Sequence, residues 1–103
     1  MNRLIEFLGI CRKAGKLTYG AAQTQEMMKY GKVVCVLIMS DTSEKTIKEM
    51  NFYNKDNILI LHLNHTKEEL KQVLKSACGV IGITDENLAN KVISLAEAQT
   101  KEE

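Results

Sequence analysis

The sequence predicts an α/β protein, a three-layer α/β/α sandwich around a four-stranded, largely parallel (mixed) sheet. Three observations lead there. Short apolar runs of β-forming residues alternate with amphipathic stretches along the chain, in the order α-β-α-β-α-β-α-β-α. Residues 33–39 form an unbroken apolar run, the pattern of a strand covered on both faces. The 103 residues, 45% hydrophobic and 26% charged, suit a single buried core. Strands separated by helices are read as parallel, with the helices in two layers.

The first helix is set by Leu4, Leu8 and Cys11, with Met1 and Ile5 widening the apolar stripe. Gly15 sits where a left-handed cap is wanted, after Arg12 and Lys13 in the last turn. Residues 17–19 are short, β-prone and expected at a sheet edge. Gly20 opens a second helix that runs to about Tyr30 and is closed by Gly31. The strand at 33–39 follows, with Val34, Val36 and Ile38 expected deep in the core beside Ile60 and Ile81. Asp41 and Glu44 make a D-x-x-E start signal for a helix carrying Ile47 and Met50. Residues 58–63 read as another strand. Thr66 and Glu69 form a second capping box, leading into Leu70, Val73 and Leu74. Residues 79–84 are the last strand, and Asp85 caps a helix with Leu88, Val92, Leu95 and Ala96 on its buried side. Residues 1–100 are expected to form one domain, with 101–103 as a frayed acidic tail.

No apolar run approaches the length needed to span a bilayer. Arg3 and Glu6 interrupt the opening stretch, so it is not read as a secretory signal. Cys11, Cys35 and Cys78 are odd in number and far apart, which argues against a disulfide framework and a cysteine zinc site. The expected setting is a reducing cytoplasm. The formal net charge is only +1, but six cations face two anions in residues 1–32 and eight face eleven beyond them. Such a division allows a local basic face, and it is equally compatible with ordinary solvated surface.

A search for chemistry returns little. His62 and His65 form an H-x-x-H pair across a strand end, where three-apart ligands converge poorly, and no third ligand completes the set. They are read as surface histidines. The nucleophile-elbow and phosphate-loop patterns are absent from the sequence. Asp41 follows a buried strand, but no partner carboxylates accompany it, so helix capping is its reading. Met27, Met28 and Met50 read as packing. No catalytic residues, metal, cofactor, small-molecule substrate or membrane partner are expected.

Binding chemistry is better represented. Residues 16–20 deliver Lys16, a Thr and a Tyr to Gly20, at the start of the second helix. Free N–H groups and the helix dipole there favour an anion, and Gly20 lets a backbone approach closely. Gly20 as a plain turn residue explains the same letters. Gln23, one turn in, can reach a base edge or a phosphate, and Arg12, Lys13 and Lys32 can add phosphate contacts.

The stretch Arg12-Lys13-Ala14-Gly15-Lys16-Leu17-x-x-Gly20, then Lys29-x-Gly31-Lys32 and the strand Val36-Leu37-Ile38-Met39-Ser40-Asp41, resembles the ribosomal-protein superfamily called L-seven-Ae / L-thirty-e. The nearest likeness is its small bacterial branch of ribosomal-protein-like, kink-turn-binding proteins. The ending Gly79-Val80-Ile81-Gly82-Ile83-Thr84-Asp85 before a short helix is similar to that branch too. The resemblance covers nearly the whole chain. It implies an α/β/α sandwich that binds kink-turn or related internal-loop RNA without catalysis, in a ribosomal or other ribonucleoprotein setting. The implied partners are structured RNA, ribosomal or otherwise non-coding, and ribosomal proteins. The implied RNA contacts are the start of the helix at Gly20, Ala21, Ala22 and Gln23, and the loop of Lys75, Ser76, Ala77 and Cys78. Lys16 and Lys32 flank them.

The strong kink-turn binders of that superfamily carry G-x-N-E-x-x-K, whose Asn, Glu and Lys address sheared G·A pairs and nearby backbone. Here Ala22 stands at the Asn position, Gln23 at the Glu position and Glu26 at the Lys position. The L-G-x-A-x-G before the final loop is replaced by Leu70-Lys71-Gln72-Val73-Leu74-Lys75. An alternative function therefore stands beside RNA binding: a protein-interaction module on the same fold with weak or lost RNA affinity.

Overall fold

The computed structural model describes residues 3–102, with side chains described through residue 98. Nine elements follow one another: α1 (Arg3–Lys13), β1 (Leu17–Tyr19), α2 (Ala21–Lys29), β2 (Cys35–Ile38), α3 (Glu44–Tyr53), β3 (Leu59–His62), α4 (Lys67–Leu74), β4 (Val80–Ile83) and α5 (Glu86–Glu102). Met1 and Glu103 lie outside the described residues. α5 carries the backbone of Lys101 and Glu102, on which most of the expected frayed tail falls.

The strands form one sheet in the order β1-β4-β2-β3. Residues of β2 alternate between two cores. Cys35 and Leu37, with Ile81 and Ile83 of β4, pack under Leu4, Leu8 and Cys11 of α1, Leu70 and Leu74 of α4, and Val92 of α5. Val36, Ile38 and Val80 pack on the other face with Met28 of α2 and Met50 of α3. Three helices cover one side and two the other, which is the expected sandwich.

The sheet is mixed, but less parallel than expected. β2 and β3 pair in parallel, in register Val36 with Ile60, whereas β4 runs antiparallel to both β1 and β2. The cause is the path of α4. Its first residue, Lys67, donates its N–H to Asp41 Oδ1 at 3.0 Å, and the segment after it returns to Gly79, whose carbonyl takes the Thr42 hydroxyl at 2.8 Å. The segment thus enters and leaves at the same end of the sheet, so the next strand must run back. An α3-type crossover, in contrast, carries the chain the full length of the sheet and yields the parallel pair.

The capping signals divide. Thr66 and Glu69 form the expected reciprocal box, and Asp85 Oδ1 accepts the Leu88 N–H at 2.9 Å. Ser43, not Asp41, caps α3, accepting the Thr46 N–H. Asp41 instead caps α4 across 26 positions of sequence. Val36, Ile38 and Ile81 are buried as expected, while Val34 is 37% exposed and Ile60 only half-buried. Val34 lies one residue ahead of β2, beyond the covered part of the sheet, and Ile60 is on the edge strand.

Candidate functional site

The register fixes which segments meet. The C-terminal ends of β1, β2 and β3 and the start of β4 share one end of the sheet. The first turns of α2, α3 and α4 begin there, so three helix N-termini, each with a partial positive charge, lie at that end. Gly20 N–H donates to Val80 O at 2.8 Å and Met39 N–H to Gly79 O at 2.9 Å. These bonds fix the start of α2 against the end of the loop leading into β4. A recess of about 280 Å³ between them is lined by Ala21, Asp41, Thr42, Ser43, Lys67 and Gly79.

Gly20 has φ 86° and ψ 159°, a region that residues with a Cβ essentially do not enter. No heavy atom lies within 4 Å of where a Cβ would stand, so backbone conformation, not crowding, requires the glycine. This conformation turns the edge strand directly into α2. Gly20 offers no side chain as a cap. Gln23 Oε1, from the third helical position, reaches past the cap to accept the Tyr19 N–H at 2.6 Å. Ala22 and Gln23 are exposed and Ala21 is half-buried. Beneath them Thr18 and Thr24 are buried and bonded to each other. Thr18 Oγ1 also accepts the Gly82 N–H.

The second segment is the 75–78 loop. Lys75 closes α4 in the left-handed conformation at φ 60°, with its N–H on Lys71 O. Lys75 and Ala77 are exposed, while Ser76 and Cys78 are half-buried with Oγ and Sγ 3.0 Å apart. Tyr19 lies near this loop. Burial raises its hydroxyl's pKa above 10.0, the Arg12 charge opposes the rise, and Cys78 adds to it. Arg12 itself is committed to structure, donating from Nε to Val73 O at 2.9 Å.

The lysines expected around Gly20 are not gathered there. Lys16 O accepts the Thr84 N–H, and Lys32 lies two residues before Val34, whose N–H donates to Ile83 O. Both therefore stand at the opposite end of the sheet from Gly20 and the 75–78 loop. Sequence proximity to Gly20 hid this, because an extended strand carries neighbouring residues apart at about 3.3 Å per residue. On the near side Lys67 lines the recess, and Lys75 closes α4 at the head of the loop that leads into β4. Sequence reading also missed the Gln23–Tyr19 bond: a Gln three residues after a helix cap points to the cap's own N–H, which here goes to Val80 O.

His65 Nδ1 lies 3.0 Å from Glu69 Oε2, and His62 is exposed. Among the described residues no group of three or more His, Cys, Asp or Glu side chains is placed to hold a metal. Cys11, Cys35 and Cys78 are free thiols. Among the described residues no helix is long and apolar enough to cross a membrane.

A groove of about 820 Å³ runs along α2 from the same first turns, with Ala22, Glu26, Lys29, Tyr30 and Tyr53 in its wall. Tyr30 and Tyr53 are exposed there, and Phe52 stands edge-on to Tyr53 at 5.2 Å with the Lys55 ammonium 4.3 Å from its ring.

Residues 3–93 match the family model of the ribosomal protein L7Ae/L30e/S12e/Gadd45 family. No curated protein matches the chain by sequence. Among solved structures, the chain is similar to a protein of unknown function from Bacillus halodurans C, with a TM-score of 0.86 and 21% identity over 94% of this chain and 99% of that one. It is also similar to the Giardia lamblia 15.5kD RNA binding protein, with a TM-score of 0.73 and 16% identity over 92% of this chain and 82% of that one. At these identities the two likenesses speak for the fold.

Proposed function

Because this chain belongs to the ribosomal protein L7Ae/L30e/S12e/Gadd45 family, we propose that it binds structured RNA, of the kink-turn or a related internal-loop type, as a non-enzymatic component of a cytoplasmic ribonucleoprotein. The observation that carries this reading is the junction of two exposed segments. The Gly20 N–H on Val80 O holds residues 20–23 beside the strand that leaves the 75–78 loop. Together they bring the exposed start of α2 alongside the segment that follows Lys75, with Lys67 in the recess between. Such a surface suits phosphates, and the open space above Gly20 admits a base or sugar. The fold likeness to an RNA binding protein from Giardia lamblia supports the same reading.

The residues in this surface set its strength. Ala22 ends in a methyl group, and Glu26, one turn on, is exposed and anionic. Binding is therefore weaker than for relatives with Asn, Glu and Lys at these places. The test is a titration of a labelled kink-turn RNA at several salt concentrations. It uses the parent and Ala22→Asn with Glu26→Lys. The parent binds at low salt, and the double variant binds more tightly, on the order of tenfold, because it gains an amide and exchanges a repelling charge for an attracting one. No binding by either protein at low salt overturns the proposal.

A second reading, a protein-interaction module, draws on the exposed Tyr30, Phe52 and Tyr53 beside the α2–α3 groove. Exposed aromatic residues grouped in this way are typical of protein interfaces. Under that reading both variants leave RNA unbound, while substitutions at the three aromatic residues release a protein partner.

A further inference from the structure

The two edges of the sheet are finished differently. β1 is three residues long, follows Lys16 and ends at Gly20, whereas residues 57–64, which contain β3, include no Lys, Arg, Asp, Glu or Pro. Sheet edges are ordinarily guarded by a lysine, a proline or a bulge, because their unpaired backbone groups template further strands. Leu59 is 46% exposed on this edge, and His62 is exposed as well. Leu63 donates its N–H to Ile38 O at 2.8 Å, so residue 63 faces β2. Alternation along the strand then turns the N–H and C=O of Ile60 and His62 outward, away from β2.

One guard is present, at residue 58. Asn54 closes α3, and its side-chain amide takes both backbone groups of Ile58. Nδ2 donates to Ile58 O at 2.7 Å, and Oδ1 accepts the Ile58 N–H at 2.8 Å. These are the two bonds that a neighbouring strand would make. The Asn54 amide thus ends the open edge at 58 and leaves it to Ile60 and His62. We propose that two copies of this chain pair through β3, antiparallel about a twofold axis, and join their sheets into one of eight strands.

Asn54 also sets the register. Ile60 opposite the partner's Ile60 would bring His62 against the partner's Ile58, whose groups are already taken. His62 opposite the partner's His62 would leave Ile60 facing Asn64, past the end of the strand. Ile60 opposite the partner's His62 joins all the outward groups at once, in four N–H to C=O bonds, with the axis beside Leu61. Leu59 then lies across from the partner's Leu63, which covers its exposed side chain. The edge is self-complementary in this one register, which is the condition for a closed twofold pair and favours a second copy over an unrelated peptide. β3 is the edge away from β1 and α2, so the proposal does not rest on the RNA-binding reading. An antiparallel pair carries two candidate surfaces, one at each end of the joined sheet.

Sedimentation of the intact protein over a concentration series tests the association. An interface this small gives a weak dimer, with a dissociation constant on the order of 10–100 µM. Leu59→Lys supplies the missing guard at an exposed position and weakens the dimer by at least about tenfold, since each copy loses a covered leucine. Single cysteines read the register, in a Cys78→Ser background that removes the half-buried thiol. Leu61→Cys forms a disulfide-linked dimer on mild oxidation, because non-hydrogen-bonded partners stand about 4.5 Å apart at Cα. Leu59→Cys does not, its two copies being offset by about 13 Å along the strands. A parent that stays monomeric up to about 1 mM overturns the proposal, as does a dimer that Leu59→Lys leaves equally tight. A folded Leu61→Cys that fails to cross-link, or cross-linking through Leu59→Cys, overturns the register and the role given to Asn54. Leu61 is half-buried, and if its variant does not fold, the sedimentation of Leu59→Lys decides the proposal.

Discussion

Thr18 and Thr24 face each other with their hydroxyl oxygens 2.7 Å apart, in the layer between the edge strand and the helix that opens the candidate site. The Thr18 oxygen also takes the Gly82 N–H at 3.0 Å, so three elements meet on one buried polar contact. A methyl group on Gly82 would collide with Thr18 Oγ1 and come within 3.1 Å of Thr24 Cγ2. Gly82→Ala is therefore expected to destabilise the fold by about 1–3 kcal/mol, although alanine is ordinarily acceptable in a strand. Thr18→Val, which keeps the shape but leaves the Gly82 N–H without its acceptor, should cost about 1–3 kcal/mol. Urea unfolding midpoints check both, and a neutral Gly82→Ala would show that the contact is loose.

Glu69 carries a pH prediction. Its carboxyl is held below the ordinary value of 4.5, first by the hydrogen bond to His65 and next by the Thr66 backbone N–H. A carboxyl pKa depressed by folding adds stability above its unfolded value, and that stability disappears as pH falls through the lowered folded value. Glu69→Gln keeps a capping acceptor but loses the charge. The parent should be the more stable of the two near neutral pH. The difference should shrink to nothing as the pH falls below 4.5 and through the lowered folded value. Paired denaturation curves across that range measure it, and a difference that persists in acid would contradict the assignment.

The thiols should fall into two classes. Burial pushes Cys11 and Cys35 up from 9.0 to about 11, so each is both inaccessible and protonated near neutral pH. Cys78 is half-buried. A thiol reagent should modify Cys78 in the folded protein and reach the other two only in denaturant. Rapid reaction of all three thiols without denaturant would show the core to be open.

Lysines at the two ends of the sheet should behave differently toward RNA. Lys75→Ala, at the head of the loop that leads into β4, is expected to lower the salt dependence of binding by about one unit of the log–log slope. Lys32→Ala, at the far end, should leave that slope nearly unchanged. Salt titrations of both variants decide it, and the reverse order would move the interface to the Lys16 and Lys32 end.

Much of the fold was legible because it is encoded locally. The Thr66–Glu69 box, the Asp85 cap and the doubly covered β2 each depend on residues a few positions apart. Strand direction was not legible. It depends on Asp41 meeting Lys67 and Thr42 meeting Gly79, contacts separated by 26 and 37 positions. No local pattern says which helix an Asp will cap, so Asp41 was read onto α3. The same limit governs the site. Gly20 was visible as the start of a helix, and its backbone conformation explains why glycine stands there. Lys16 and Lys32 were grouped with it because they are near in sequence, whereas a strand and a helix carry them to the other end.

The insertion of β4 between β1 and β2 has a consequence for the order of assembly during synthesis. The Thr18–Gly82 contact closes a loop of 64 positions, and the Gly20 N–H likewise waits for Val80. A nascent chain that has emerged only as far as α4 holds β1 before the strand it pairs with, since among the described residues β4 is the one strand beside it. Gly20 at that stage has nothing to hold it against the sheet, and the two segments of the candidate surface are unconnected. The surface comes into being only once β4 has been made, so a nascent chain that has not reached Val80 carries the residues around Gly20 without their geometry.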